Sequence, residues 1–123
     1  MIAVYVDGQV DLDASLPEIE TAVRSLDGAD RSLLVVELPS GATITVGGGP
    51  TRFVVEVAEN QNTRWTVLDP RRPEGRIELV VGGERVDPPA RLCVDGEAAL
   101  EAVRTFVAEN GARSARLEWS AET

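Results

Sequence analysis

The chain lacks most of the side chains that enzymes use for chemistry. Its 123 residues include no histidine, no lysine and a single cysteine, Cys93. Histidine titrates near neutral pH, lysine is the usual amine nucleophile, and clusters of histidine and cysteine bind transition metals. We therefore expect a protein that is not an enzyme and that holds no cofactor and no metal ion.

The single thiol has no base to activate it. Cys93 lies in the apolar segment 91–94, and only Arg91 and the N-terminus of the helix predicted to follow could lower the pKa of its thiol. Because buried cysteines commonly pack as small hydrophobic residues, we expect Cys93 to belong to the core. One unpaired cysteine also fits a reducing compartment.

Carboxylates are the remaining candidates for chemistry. Asp7, Asp11 and Asp13 offer oxygen ligands for a hard cation, but they lack the spacing and the terminal glutamate of an EF-hand loop, and solvated carboxylates are expected. Glu56 and Glu78 would form a glycosidase-type acid pair only if neighbouring strands placed them together. A carboxylate-based enzyme is therefore the last of three alternatives.

Two loops resemble anion-binding sites without the necessary context. The glycine-rich residues 47–50 lead into the strand-like residues 52–57, whereas phosphate loops lead into a helix. Arg71 and Arg72 form a basic turn between two prolines, but two arginines in so acidic a chain are a poor nucleic-acid footprint. We predict a hairpin loop, a solvated turn and no nucleic-acid partner.

Net charge is the strongest feature of the composition. Aspartate and glutamate number 21 against 12 arginines, for a formal net charge of -9. Such a surface suits a basic protein partner, because complementary charges steer the encounter and select the partner. The two tryptophans, Trp65 and Trp119, are expected to pack in the core, and tryptophan is also favoured at binding faces.

The length predicts one domain, residues 1–123. The first apolar run, residues 2–6, is too short for the apolar region of a signal peptide and has no basic residue before it. No later segment approaches membrane-spanning length, so we expect a cytoplasmic protein without a membrane partner. The oligomeric state does not follow from the sequence.

Local signals predict a helix after the first strand. Ser15 and Glu18 have the spacing of a capping box, Pro17 sits in the first turn, and Gly28 closes the segment. The apolar stripe of this helix comprises Ile19, Ala22, Val23 and Leu26.

A second helix is predicted from Asp95, as its cap, to about Asn110, with Gly111 as its terminator. Arg104 is expected to face water. The apolar stripe comprises Leu100, Val103, Phe106 and Val107.

Between the helices the apolar period changes to two, which is typical of strands. The predicted strands cover residues 2–6, 33–38, 42–46, 52–58, 63–68, 76–81 and 114–119, and the short turns at 39–41, 60–62 and 82–83 indicate an antiparallel meander. We predict an α+β fold: a mainly antiparallel sheet of about six to eight strands with two helices packed on one face.

Two parts of the chain are similar to a known family. Residues 86–119 contain a proline-bearing approach, a capped helix with Ala102, Val103, Arg104 and Phe106, a glycine, and a strand ending in Trp119. In this respect, and in the first strand followed by a Ser-Leu-Pro-Glu helix start, the chain resembles the first family of bacterial immunity proteins from polymorphic toxin systems.

The resemblance implies a cytoplasmic protein that binds and silences a cognate secreted toxin, in this family often a nucleic-acid deaminase. We expect Glu56, Glu59, Glu78 and Glu118 to supply charge to the partner-binding surface and Trp65 to act as an anchor. The alternative is a small non-catalytic accessory or ligand-binding domain of a bacterial biosynthetic or regulatory system, with a pocket between sheet and helices.

Overall fold

A computed structural model describes residues 2–60 and 62–122. Within them the strands are β1 (Ala3–Val6), β2 (Gln9–Asp11), β3 (Leu33–Glu37), β4 (Thr43–Gly48), β5 (Phe53–Ala58), β6 (Arg64–Leu68), β7 (Leu79–Val81), β8 (Glu84–Val86) and β9 (Glu118–Glu122). The helices are α1 (Leu16–Arg24) and α2 (Gly96–Ala108), and Ala90–Leu92 forms a short 3-10 turn. Gln61, in one of the predicted turns, lies outside the described residues.

Seven strands form one antiparallel sheet in the order β2-β1-β3-β4-β5-β6-β9. The predicted meander is confirmed from β3 to β6. Phe53, Val55 and Val57 of β5 point into the core, where they meet the apolar stripes of both helices. The predicted α+β class, with both helices on one face of a mainly antiparallel sheet, is therefore confirmed.

We predicted that residues 76–81 continue the meander, and this prediction is wrong. Only Leu79–Val81 forms a strand there, and it pairs with β8 in a separate two-stranded sheet. Strand β9 pairs with β6 instead. It forms five residue pairs with β6, whereas β7 has only three residues and could form no more than three pairs. The β7–β8 hairpin instead packs on the large sheet at Gly47, where an added Cβ would lie 2.7 Å from Val81 Cγ1.

Both ends of the large sheet also differ from the prediction. Asp7 and Gly8, with φ of +45° and +89°, form a hairpin turn between β1 and β2, a strand that the sequence analysis missed. The last strand begins at Glu118 and not at Ser114. The Leu117 N–H donates to the Ser114 carbonyl (3.3 Å), which makes a turn of the residues predicted to begin that strand.

Both predicted helix starts and the end of α2 are confirmed, whereas α1 ends at Arg24, with Ser25 as its C-cap, and not at Gly28. The Ser15 hydroxyl and the Glu18 carboxylate complete the capping box of α1, and the Asp95 carboxylate accepts from the Ala98 N–H (2.9 Å). Gly111, with φ of +97°, donates its N–H to the Phe106 carbonyl (2.7 Å) and so closes α2.

The two helices lie side by side and share a polar contact. Ile19 and Val23 of α1 and Val103 and Phe106 of α2 are buried in one core. Arg104 does not simply face water, as we had expected, because its guanidinium donates to the Glu20 carboxylate of α1. This pair ties the outer sides of the helices together.

Replacing Phe106 by alanine should lower the free energy of unfolding by about 3 to 5 kcal/mol, because the fully buried ring would leave a cavity. Arg104→Ala should cost about 1 kcal/mol or less, since its ion pair is partly exposed. Urea denaturation of both variants measures the two losses. Equal losses would show that α2 presents another face to the sheet.

Candidate functional site

Two of the predicted site residues, Glu56 and Glu118, lie on the sheet face that the helices leave open. Glu56 stands opposite Thr45 and Thr66, and its Oε1 is 3.7 Å from Arg64 Nη1. Glu118 begins β9 on the same face, with Oε2 3.4 Å from Arg72 Nη2. One row on this face crosses all seven strands in register: Val10, Tyr5, Val35, Thr45, Glu56, Thr66 and Ser120.

Glu59 and Trp65 lie elsewhere, beside the helix-covered face. Trp65 stands opposite Val57, whose side chain is fully buried in the core. The Arg113 guanidinium lies 3.7 Å from the centre of the Trp65 ring, and its Nε donates to Glu59 Oε1 (3.4 Å). The ring is therefore covered by a cation, an arrangement that is favourable for tryptophan. The indole Nε1 of Trp65 is buried without a hydrogen-bond partner.

Glu78 occupies a third place. It is exposed, precedes β7, and lies 4.0 Å from Arg85 Nη1 across the small hairpin. Glu56 belongs to the other sheet, so neighbouring strands do not bring Glu56 and Glu78 together. The premise of the glycosidase-type pair is therefore wrong.

All four predicted glutamates share one feature that the sequence did not reveal: each lies within 4.0 Å of an arginine. The partners of Glu59 and Glu118, Arg113 and Arg72, are 54 and 46 residues away in sequence. The topology of the fold brings such distant partners together, so no local sequence pattern predicts these ion pairs.

A cleft opens between the β1–β2 hairpin and α1, with a volume of about 420 Å³. Its apolar lining residues are Val4, Val6, Val10, Ala14, Ile19 and Ala22. Its carboxylates are Asp7, Asp11, Glu18 and Asp30, and Arg31 is the one basic side chain among the described residues that line it. The sequence analysis weighed Asp7 and Asp11 for a cation, but it did not predict this cleft.

Backbone donors fix three of the four cleft carboxylates. The Ser32 N–H donates to Asp7 Oδ2 (3.1 Å), and the Asp13 N–H donates to Asp11 Oδ1 (3.1 Å). Glu18 accepts from the N–H and the hydroxyl of Ser15, and these bonds lower the pKa of its carboxyl. The hairpin turn and the capping box, both visible in the sequence, were thus the available signals for this site.

Asp69 is a buried carboxylate at the centre of a charge cluster at the end of β6. Its carboxylate accepts from Arg71 Nε (3.2 Å) and Nη2 (2.9 Å) and lies 3.5 Å from Arg52 Nη2. The side-chain hydrogen bond from Arg71, with its backbone N–H, lowers the pKa of Asp69 from 3.8 to about 2. Arg52 also donates to the Cys93 carbonyl (2.8 Å), so the cluster ties β6 to the segment before α2. Arg71 is thus more than the solvated turn residue that we expected.

Cys93 is fully buried, as expected, and burial raises the pKa of its thiol. No group of three or more histidine, cysteine, aspartate or glutamate side chains among residues 2–60 and 62–122 is arranged to hold a metal ion. Neither helix in the described part of the chain is long and apolar enough to cross a membrane.

Acid should remove the contribution of Asp69 to stability. Because its pKa is lower in the folded state, the contribution is complete above about pH 5 and is lost as the pH falls through 3.8 towards 2. Asp69→Asn should therefore cost about 1.5 to 3 kcal/mol of unfolding free energy near neutral pH and less near about pH 2.

Urea denaturation over a pH series measures this difference, with Asp87→Asn, at an exposed aspartate, as the matched control. The control should show little loss at any pH. A loss for Asp69→Asn that stays constant across the series would contradict the assigned role of the carboxylate.

The chain was also compared with known proteins. A family model described as immunity protein Imm1 matches residues 2–121, from the first strand to the last. The comparison with curated proteins gave no match. Because the family match covers nearly the whole length, the chain belongs to the Imm1 family of immunity proteins.

Proposed function

We propose that this protein binds and inhibits a cognate secreted toxin in the cytoplasm of the cell that makes it, without catalysing a reaction. Family membership supports the immunity role in general. The absence of histidine and lysine from the sequence is in keeping with inhibition by binding.

The proposed target is a toxin that acts on nucleic acid, such as a deaminase. An enzyme of this class must guide a polyanionic strand to its active site, so its cleft carries positive charge. A protein with a net charge of -9 can occupy such a cleft and exclude the substrate. Electrostatic steering would also speed capture of the toxin.

The observation that carries the proposal is the exposure of acidic side chains at several places on the molecule. The side chains of Glu59, Glu78 and Glu118 remain 44%, 70% and 51% exposed despite their arginine partners. Exposed ion pairs of this kind contribute only about 0 to 1 kcal/mol. Basic groups of a toxin can therefore replace the arginines at little cost in free energy.

Trp65 fits the same scheme as an anchor. A toxin group that displaces Arg113 from the ring would meet a large aromatic face together with the Glu59 carboxylate. Aromatic residues next to charge are frequent centres of binding energy. Glu56 and Glu118 would contribute charge from the open sheet face.

The cleft favours a second candidate function. Its volume of about 420 Å³ lies in the range of small-molecule sites, and it sits between sheet and helix as a ligand-binding domain would require. This is the alternative accessory role. Binding and protection against a toxin distinguish the two functions.

The rate of association with the toxin should fall about tenfold or more between about 50 mM and about 500 mM salt, because screening removes electrostatic steering. The rate of dissociation should change much less. Surface plasmon resonance measures both rates, with the toxin encoded beside the gene made inactive at its catalytic residue.

Charge reversal at Glu118 should slow association, whereas Trp65→Ala should mainly speed dissociation and cost about 2 kcal/mol or more of binding free energy. A salt-independent association rate would remove the acidic-surface mechanism. Absence of both binding and protection of cells would remove the immunity role for that toxin.

A further inference from the structure

We infer that the cleft between the β1–β2 hairpin and α1 receives an arginine side chain that projects from the toxin. The inference rests on the proposed function and adds a specific docking point to it. It stands on the shape of the cleft, on its apolar floor and on the charge around its rim.

The floor of the cleft is apolar. Val4 and Ile19 form part of the floor and belong to the core. Ala14 and Ala22 also line the cleft; Ala14 is buried, and Ala22 packs against the core. An apolar groove at the edge of a sheet can serve as a protein-binding surface.

The rim differs from the other acidic surfaces of the molecule. Asp7, Asp11, Glu18 and Asp30 form no ion pair in the part of the chain that the structure describes, whereas Glu56, Glu59, Glu78 and Glu118 each have an arginine. Arg31 also lines the cleft, so one arginine faces four carboxylates there. The excess of negative charge is unfavourable, and a cation brought among the carboxylates relieves it.

Arginine is the side chain that matches both properties. Its apolar stem can lie along Val4, Ala22 and Ile19 while its guanidinium reaches the carboxylates of the rim. The planar guanidinium presents five donors that suit paired carboxylate oxygens. Backbone donors already hold Asp7 and Asp11 in place, so little ordering is needed when the guanidinium arrives.

The test removes two rim charges without changing shape. The double variant Asp11→Asn/Asp30→Asn keeps the oxygen that accepts from the Asp13 N–H, and Asp30 is exposed. The matched control, Asp87→Asn/Glu97→Gln, removes two exposed charges that do not line the cleft. Melting temperatures should be close to wild type for both.

Affinity for the inactive toxin should fall at least about tenfold for the cleft variant and less than about threefold for the control. Each surface arginine of the toxin is then replaced by glutamine in a double-mutant cycle, and one of them should lose its effect when the cleft variant is the partner.

Equal affinities for the cleft variant and the control would overturn the inference while leaving the immunity role intact. So would a weakened cleft variant that couples to no arginine, because another group would then fill the cleft. If wild type itself neither binds nor protects, the proposed function fails and the inference fails with it.

Discussion

Burial of one face of a seven-stranded sheet under two helices is the constraint on which the rest of the structure depends. Seven strands spaced about 4.8 Å apart span about 29 Å, whereas two packed helices cover about 20 Å. The sheet therefore extends beyond its cover on both sides. On the β9 side, Trp65, Trp119 and Arg113 fill the gap, with the Trp119 indole donating to the Ser114 carbonyl. On the β2 side no aromatic side chain of the described residues fills it, and the acidic cleft remains.

The parts of the fold that rest on local chemistry could be predicted. The capping box at Ser15 and the cap at Asp95 each involve residues that are close in sequence. Both helices begin at these predicted caps. Strand β2 was missed because it has only three residues and two of them are polar. The pairing of β9 with β6 is non-local, so only competition between strands for the place beside β6 decides it.

The candidate site was less predictable than the fold because charge compensation depends on tertiary structure. The sequence gives no indication that Glu59 and Glu118 are paired. In the structure each forms an ion pair with an arginine that is distant in sequence. Trp65 was predicted as an anchor without the knowledge that Arg113 covers it. By contrast, the unpaired carboxylates of the cleft lie close together in sequence, yet only the packing of α1 against the first hairpin shows that they enclose a groove.

Strand β9 pairs with β6 across the whole of the β7–β8 hairpin and α2. During synthesis, β6 therefore stays an open edge until residues 118–122 have left the ribosome, and open edges invite pairing with other chains. Contacts so far apart in sequence also form slowly. In this member of an immunity family, the seven-stranded sheet is therefore complete only after β9 has paired with β6.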